Sequence, residues 1–82
     1  MNLALTNTAF WDTNLQTMDE QTHAPFIITR VFQYGLLEDI RTVLHFYTPL
    51  QITTAFKTQR GIDKKVIALA AVLLNVEEKE LS

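Results

Sequence analysis

The sequence predicts an all-α protein: a compact bundle or orthogonal array of four helices plus a short C-terminal helical turn, with an extended N-terminal strap. Three observations point there. The stretch from Val66 to Leu74 is nine consecutive apolar residues rich in Ala and Leu, a composition that favours helix and leaves it no polar face. Apolar residues recur at three- and four-residue spacing upstream, and no stretch alternates as a half-buried strand does. Gly35, Thr48-Pro49 and Gly61 punctuate the chain at short intervals, so the connections are short and neighbouring helices pack together.

Composition narrows the function classes. A chain of 82 residues is one domain with a modest core. An apolar fraction of 48% and only two prolines and two glycines exclude disorder, and a net charge of −2 gives no sign of a polyanionic or membrane-surface partner. The longest apolar run is far short of the roughly 20 residues of a membrane span. With no cysteine there is no disulfide, thiolate metal site or cysteine nucleophile. Met1 to Ala9 carries neither a basic residue nor an apolar core, so it does not read as a signal peptide. The expectation is a cytoplasmic protein with a flexible N-terminus over residues 1–9 and a single helical domain over residues 10–82.

In chain order, the adjacent aromatics Phe10 and Trp11 are the first strong feature. Each buries on the order of 150 to 250 Å² when covered, enough to strap the chain across its own helices or to anchor a partner protein. The polar stretch Thr13 to Glu20 connects. The first helix is expected over about Thr22 to Tyr34, with Ala24, Ile27, Ile28, Val31 and Phe32 inward. Pro25 confines the start to one turn, making Thr22 the better N-cap unless a separate turn over Asp19 to Thr22 precedes the helix. Gly35 is placed for a left-handed C-terminal position.

A second helix over about Leu36 to Tyr47 carries Leu36, Ile40, Val43, Leu44 and Tyr47 on one stripe, with Glu38 and Asp39 in its first turn. Glu38, Arg41 and His45 form the opposite, solvated stripe, with a pair at i to i+3 spacing; Arg30 likewise reads as a solvent charge. Thr48-Pro49 is an N-cap followed by proline at the first helical position, so a third helix runs to about Gln59 with Ile52, Ala55 and Phe56 inward. Asp63 caps the fourth helix, Asn75 ends it, and residues 76–81 make a last turn. This fourth helix, with Leu69 and Leu73 on one face and Ala70 and Ala71 allowing close approach, is expected to be wrapped by the others or shared between two subunits.

No catalytic, cofactor or metal site is legible. The two glycines stand alone after helices, and the only serine is Ser82, so there is no phosphate cradle or serine nucleophile. The pairs Glu38-Asp39 and Glu77-Glu78 are sequence neighbours that diverge by about 100° on a helix. His23 has no companions at ligand spacing, whereas metal sites take three or four convergent ligands. The one concentrated charge feature is Lys57, Arg60, Lys64 and Lys65, four of the seven basic residues, around the turn at Gly61. Helix, glycine turn, helix is the outline of a helix-turn-helix, but Lys57 occupies a position that is normally small. After Lys65 the second helix also offers no polar side chain until Asn75, while reading bases takes polar groups.

Several residues together resemble a family. Phe10-Trp11-Asp12, His23 with Phe26-Ile27-Ile28 and Arg30-Val31, Gly35, Glu38-Asp39, Phe46-Tyr47 with Ile52, and Asn75-Val76-Glu77-Glu78 are similar to a group of small helical bacterial proteins of unassigned function, over about residues 10 to 81. Members of that group are often encoded beside nucleotidyltransferase-like toxins of the abortive-infection type. The resemblance implies an antitoxin-like partner role and carries no catalytic residues; the chain departs from the pattern in Pro25 and in its strongly apolar fourth helix. The expectation is a non-enzymatic protein-interaction module without cofactor, its partner another protein or a second copy. Phe10, Trp11, Lys57, Arg60, Lys64 and Lys65 are its candidate partner-binding residues, and DNA binding through the 57–65 turn is the alternative.

Overall fold

The structure, a computed structural model, describes Leu5, residues 19–59 and residues 61–81. The strap expected around Phe10 and Trp11, and Arg60 in the basic turn, lie outside these residues. Among the described residues there are four helices and no strand: α1 (Ala24–Tyr34), α2 (Leu37–Phe46), α3 (Pro49–Thr58) and α4 (Lys64–Leu74), followed by a 3-10 turn at Glu78–Glu80. This is the predicted all-α class.

The helix ends follow from local chemistry. Before α1 the Asp19 carboxylate accepts from the backbone N–H of Gln21 at 2.9 Å and of Thr22 at 2.8 Å, so a separate turn does precede the helix. Thr22 is therefore not the cap; His23 holds that position without a side-chain bond, and Pro25 sits in the first turn, where its missing N–H is harmless. At α3 the predicted cap is realised in both directions. Thr48 Oγ1 accepts from Gln51 N at 3.1 Å, and Gln51 Oε1 accepts from Thr48 N at 3.0 Å. Asp63 caps α4 by accepting from Lys65 N at 2.8 Å. Asn75 ends it in the left-handed region at φ 58° and ψ 46°, while Val76 N donates back to Ala71 O at 3.0 Å.

One expectation at the α1–α2 corner needs correcting. Gly35 has φ −78° and is not left-handed. Its role is space: a Cβ there would lie 2.7 Å from Val31 O and 3.3 Å from Asp39 Cβ, so only glycine lets the two helices meet so closely. Asp39 does sit in the first turn of α2, but it is buried, with its carboxylate accepting from Leu36 N at 3.1 Å. Glu38, Arg41 and His45 face solvent as expected. Their predicted ion pair does not form; among the described residues the ion pair present is Lys79 with Glu77, at 3.1 Å.

The core is built on α1. Ile27 and Ile28 are adjacent and thus project about 100° apart, yet both are fully buried, as is Val31. An arc that wide takes more than one neighbour, and α1 packs most extensively on α3 and also on α2 and α4. Phe32 meets Phe56 of α3 edge to face, with ring centroids 5.3 Å apart. Ile40 and Val43 of α2 and Ile52 and Ala55 of α3 complete this side. Arg30, on the outer side of α1, is no simple solvent charge. Its guanidinium lies over the rings of Phe26 at 5.4 Å and Tyr34 at 5.5 Å, one turn away on either side.

Of the two expected ways of burying α4, wrapping on every side within one chain is not what the structure has. The helix buries Ala70 and Ala71 fully, with Ile67 and Leu74 packed alongside, and leaves its opposite face to solvent: Leu69 is 42% exposed, Leu73 40% and Val72 77%. The physical reason lies in the small residues. Ala70 and Ala71 let the helix backbone approach the core closely, and a helix drawn in by one face turns the other away. Beyond Asn75 the chain packs its 3-10 turn on α4 and delivers Leu81 into the core with no exposed surface.

Truncation separates the two kinds of leucine and isoleucine. Ile28→Ala should lower stability by about 2 to 5 kcal/mol, and Leu69→Ala by less than about 1 kcal/mol. Paired urea melts at low protein concentration check this; equal losses would contradict the assignment of the core.

Candidate functional site

Of the predicted partner-binding residues, the structure brings three into one region. Lys57 ends α3 on the solvent side, and Lys64 and Lys65 open α4, also exposed. Between them Gly61 takes φ +76° with nothing within 4 Å of an added Cβ, so here it is the backbone that demands glycine. Ile62 tucks inward against the core cluster and fixes the turn. Lys57, Lys64 and Lys65 thus form an exposed edge on either side of Gly61.

That edge is less purely basic than the sequence suggests. The 3-10 turn brings Glu78 and Lys79 to a shallow groove that Lys64 and Ile67 also line. In the sequence only Asp63 stands among the four cations; folding adds one charge of each sign, Glu78 and Lys79. A second open groove runs along α4 between Ala68, Val72 and Asn75 on the helix and Val76, Glu77 and Glu78 on the returning chain. Next to it lies the exposed stripe of Leu69, Val72 and Leu73, at helical i, i+3, i+4 spacing. Sequence reasoning did not mark this stripe as a surface, since an unbroken apolar run carries no sign of which side faces water. Further exposed apolar side chains stand at the starts of α2 and α3, where Leu37 is 69% and Leu50 75% exposed.

Acid–base chemistry is sparse. His23 is exposed, with Nδ1 3.3 Å from Asp19 O, and among the described residues no three His, Asp or Glu side chains are placed to hold a metal ion. None of the described helices is long and apolar enough to cross a membrane. The N–H groups of Thr22 and then Gln21 hold the Asp19 carboxyl below its ordinary value. Tyr47 moves the other way. It is buried, donates its hydroxyl to Glu20 O at 2.7 Å, and is pushed up to about 12 by burial and then by the carboxylates of Glu20 and Asp19. This bond, with Gln51 Nε2 donating to Gln21 Oε1 at 3.0 Å, ties the 19–22 turn to α2 and α3. Tyr47 is thus a structural lock rather than a reactive group.

A family model of a family of unknown function, DUF6922, matches residues 5–56. The chain belongs to that family. The matched segment of this DUF6922 member ends within α3, so the 57–65 turn, α4 and its exposed stripe all lie beyond it. No curated protein and no solved structure matches the chain.

The Tyr47 lock has a pH signature. Its folded-state value lies above the ordinary 10, so its contribution to stability is complete below pH 10 and is lost as pH rises from 10 towards about 12. Melting curves recorded across that window should show a decline that Tyr47→Phe removes. At neutral pH the same variant should lose about 1 kcal/mol; an unchanged alkaline decline would show that Tyr47 is not its source.

Proposed function

We propose that this DUF6922 member is a non-enzymatic protein-interaction module of the cytoplasm, docking through the outer face of α4 in an antitoxin-like role. The observation that carries this reading is the stripe of Leu69, Val72 and Leu73. Apolar residues clustered on the surface of a small domain mark sites where another protein is received, and i, i+3, i+4 spacing is how an amphipathic helix presents anchors to a partner groove. The exposed cation Lys65, one turn before Leu69 on α4, favours a partner with acidic character around an apolar centre. The antitoxin-like part rests on the family resemblance and the toxin genes that accompany that group.

The basic turn also supports a second, weaker reading as a duplex-DNA edge through phosphate contacts by Lys57, Lys64 and Lys65. Two features count against it. Past Lys65 the exposed side of α4 is apolar and offers base edges no hydrogen bonds, and Glu78 stands beside Lys64.

The test is co-expression with the products of the adjacent genes, followed by co-elution on size exclusion. A stable complex with one of them is expected, weakened at least about tenfold by Val72→Asp, a change of about 1.4 kcal/mol or more. Val72 is so exposed that this variant should fold normally. A protein that stays monomeric and retains none of those products overturns the reading, and a salt-sensitive shift of its own promoter DNA, lost in Lys64→Ala, would favour the DNA alternative.

A further inference from the structure

We propose that residues 77–81 are a displaceable plug, filling within the chain a slot that takes an acidic, leucine-bearing segment of a partner protein. The slot lies on the Ile67 side of α4. Ile67 and Leu69 point about 160° apart on the helix, so this site is separate from the outward stripe and goes beyond the docking already proposed.

One side chain seats the segment. Leu81 has no exposed surface, whereas residues 77–80 are all exposed. The backbone bonds here close within the segment: Glu80 N donates to Glu77 O at 3.0 Å and Leu81 N to Glu78 O at 2.9 Å. The ion pair of Lys79 with Glu77, at 3.1 Å, closes within it too. A short exposed piece held by a single anchor opens locally, at a fraction of the cost of unfolding the chain. Beside Leu81 a groove of about 250 Å³ already stands open, with Phe56, Ile62 and Ile67 as apolar walls and the exposed Lys57 at its edge.

The segment in place shows the chemistry that the slot accepts. Its leucine enters the apolar floor, and the four residues before it carry three carboxylates and one ammonium. They lie along the cationic edge, where Glu78 and Lys79 border the groove of Lys64 and Ile67. With the plug out, the slot presents the walls of Phe56, Ile62 and Ile67 under Lys57 and Lys64. A partner segment with acids ahead of a leucine meets the same floor and the same charges. The plug also sets a threshold. A tethered competitor acts at an effective concentration on the order of millimolar, and a partner's apparent affinity falls by the fraction of time the slot is empty.

The test is fluorescence anisotropy of a labelled peptide with the sequence of residues 75–81, titrated with the full chain in low salt. The parent should bind it weakly, and Leu81→Ala, which vacates the slot, at least about tenfold more tightly. Glu78→Lys keeps the leucine but sets a second cation beside Lys64, and should raise binding about two- to threefold over the parent. In the Leu81→Ala chain, adding Lys57→Glu and Lys64→Glu should abolish the gain, and an unlabelled peptide with alanine in place of its leucine should fail to compete. Leu81→Ala should still melt cooperatively, because emptying a separable plug costs no more than its local opening. A Leu81→Ala chain that no longer folds overturns the proposal, since Leu81 is then an indispensable part of the core. Equal binding by Leu81→Ala and the parent overturns it, as does competition by the leucine-free peptide. A parent dimer that Leu81→Ala dissolves would give the slot to the segment of a second copy and overturn the partner assigned here. Val72→Asp should leave peptide binding unchanged, so the slot and the outward stripe stand or fall separately.

Discussion

Everything in this fold depends on the burial of two neighbouring isoleucines. Ile27 and Ile28 point in directions about 100° apart on α1, and both are removed completely from water. No single helix can cover that arc, so α3, α2 and α4 gather around α1. Val31 and Phe32 extend the same surface along the helix, and Leu81 is carried in from the C-terminus. Fully burying one such side chain contributes about 1.5 to 3 kcal/mol, so these few positions supply much of the stability available to a domain this small. The polar links serve this arrangement. Tyr47 and Gln51 hold the 19–22 turn at the head of α1, and Asp39 secures the first turn of α2 beside Gly35.

What the sequence made legible is mostly local. Thr48-Pro49, Asp63 and Asn75 each impose a backbone conformation through their own side chain or ring, and their roles are as the residue types dictate. The inward residues of α1 and α3 follow from spacing, because polar residues interrupt the apolar ones and reveal the period. The same logic fails at α4. Nine apolar residues in a row contain no period, so the chain gives no local sign that Ala70 and Ala71 face inward while Leu69 and Leu73 do not. Size misleads as well: bulky leucines suggest a core, yet it is the small alanines that permit a close approach. Gly35 and Leu81 were illegible for another reason, since the role of each is defined by elements distant in sequence or by the packing of a corner. The clue to Leu81 was a single apolar residue closing an acidic run.

The candidate site divides the same way. The cationic turn could be read directly, because charge is written in the residue type. Glu78 and Lys79, which join it, and the apolar stripe beside it, arise only when the chain reverses at Asn75 and lies back along α4. The family match ends within α3, so the core helix α1 belongs to the shared segment, whereas α4, with its outward stripe, stands beyond it. An apolar helix with one face inward and one outward reconciles the two ways of burying it that the sequence left open: the alanine face is met within the chain, and the leucine face is available to another.

The central claim is that α1, rather than the more hydrophobic α4, is the structural centre. Native-state amide hydrogen exchange at low protein concentration measures it residue by residue. The account predicts that the slowest amides, opening only with global unfolding, lie in α1 around Ile28, Val31 and Phe32, with the α4 amides around Leu69 to Leu73 exchanging faster through local opening. Slowest exchange in the middle of α4, with α1 opening before it, would contradict the account.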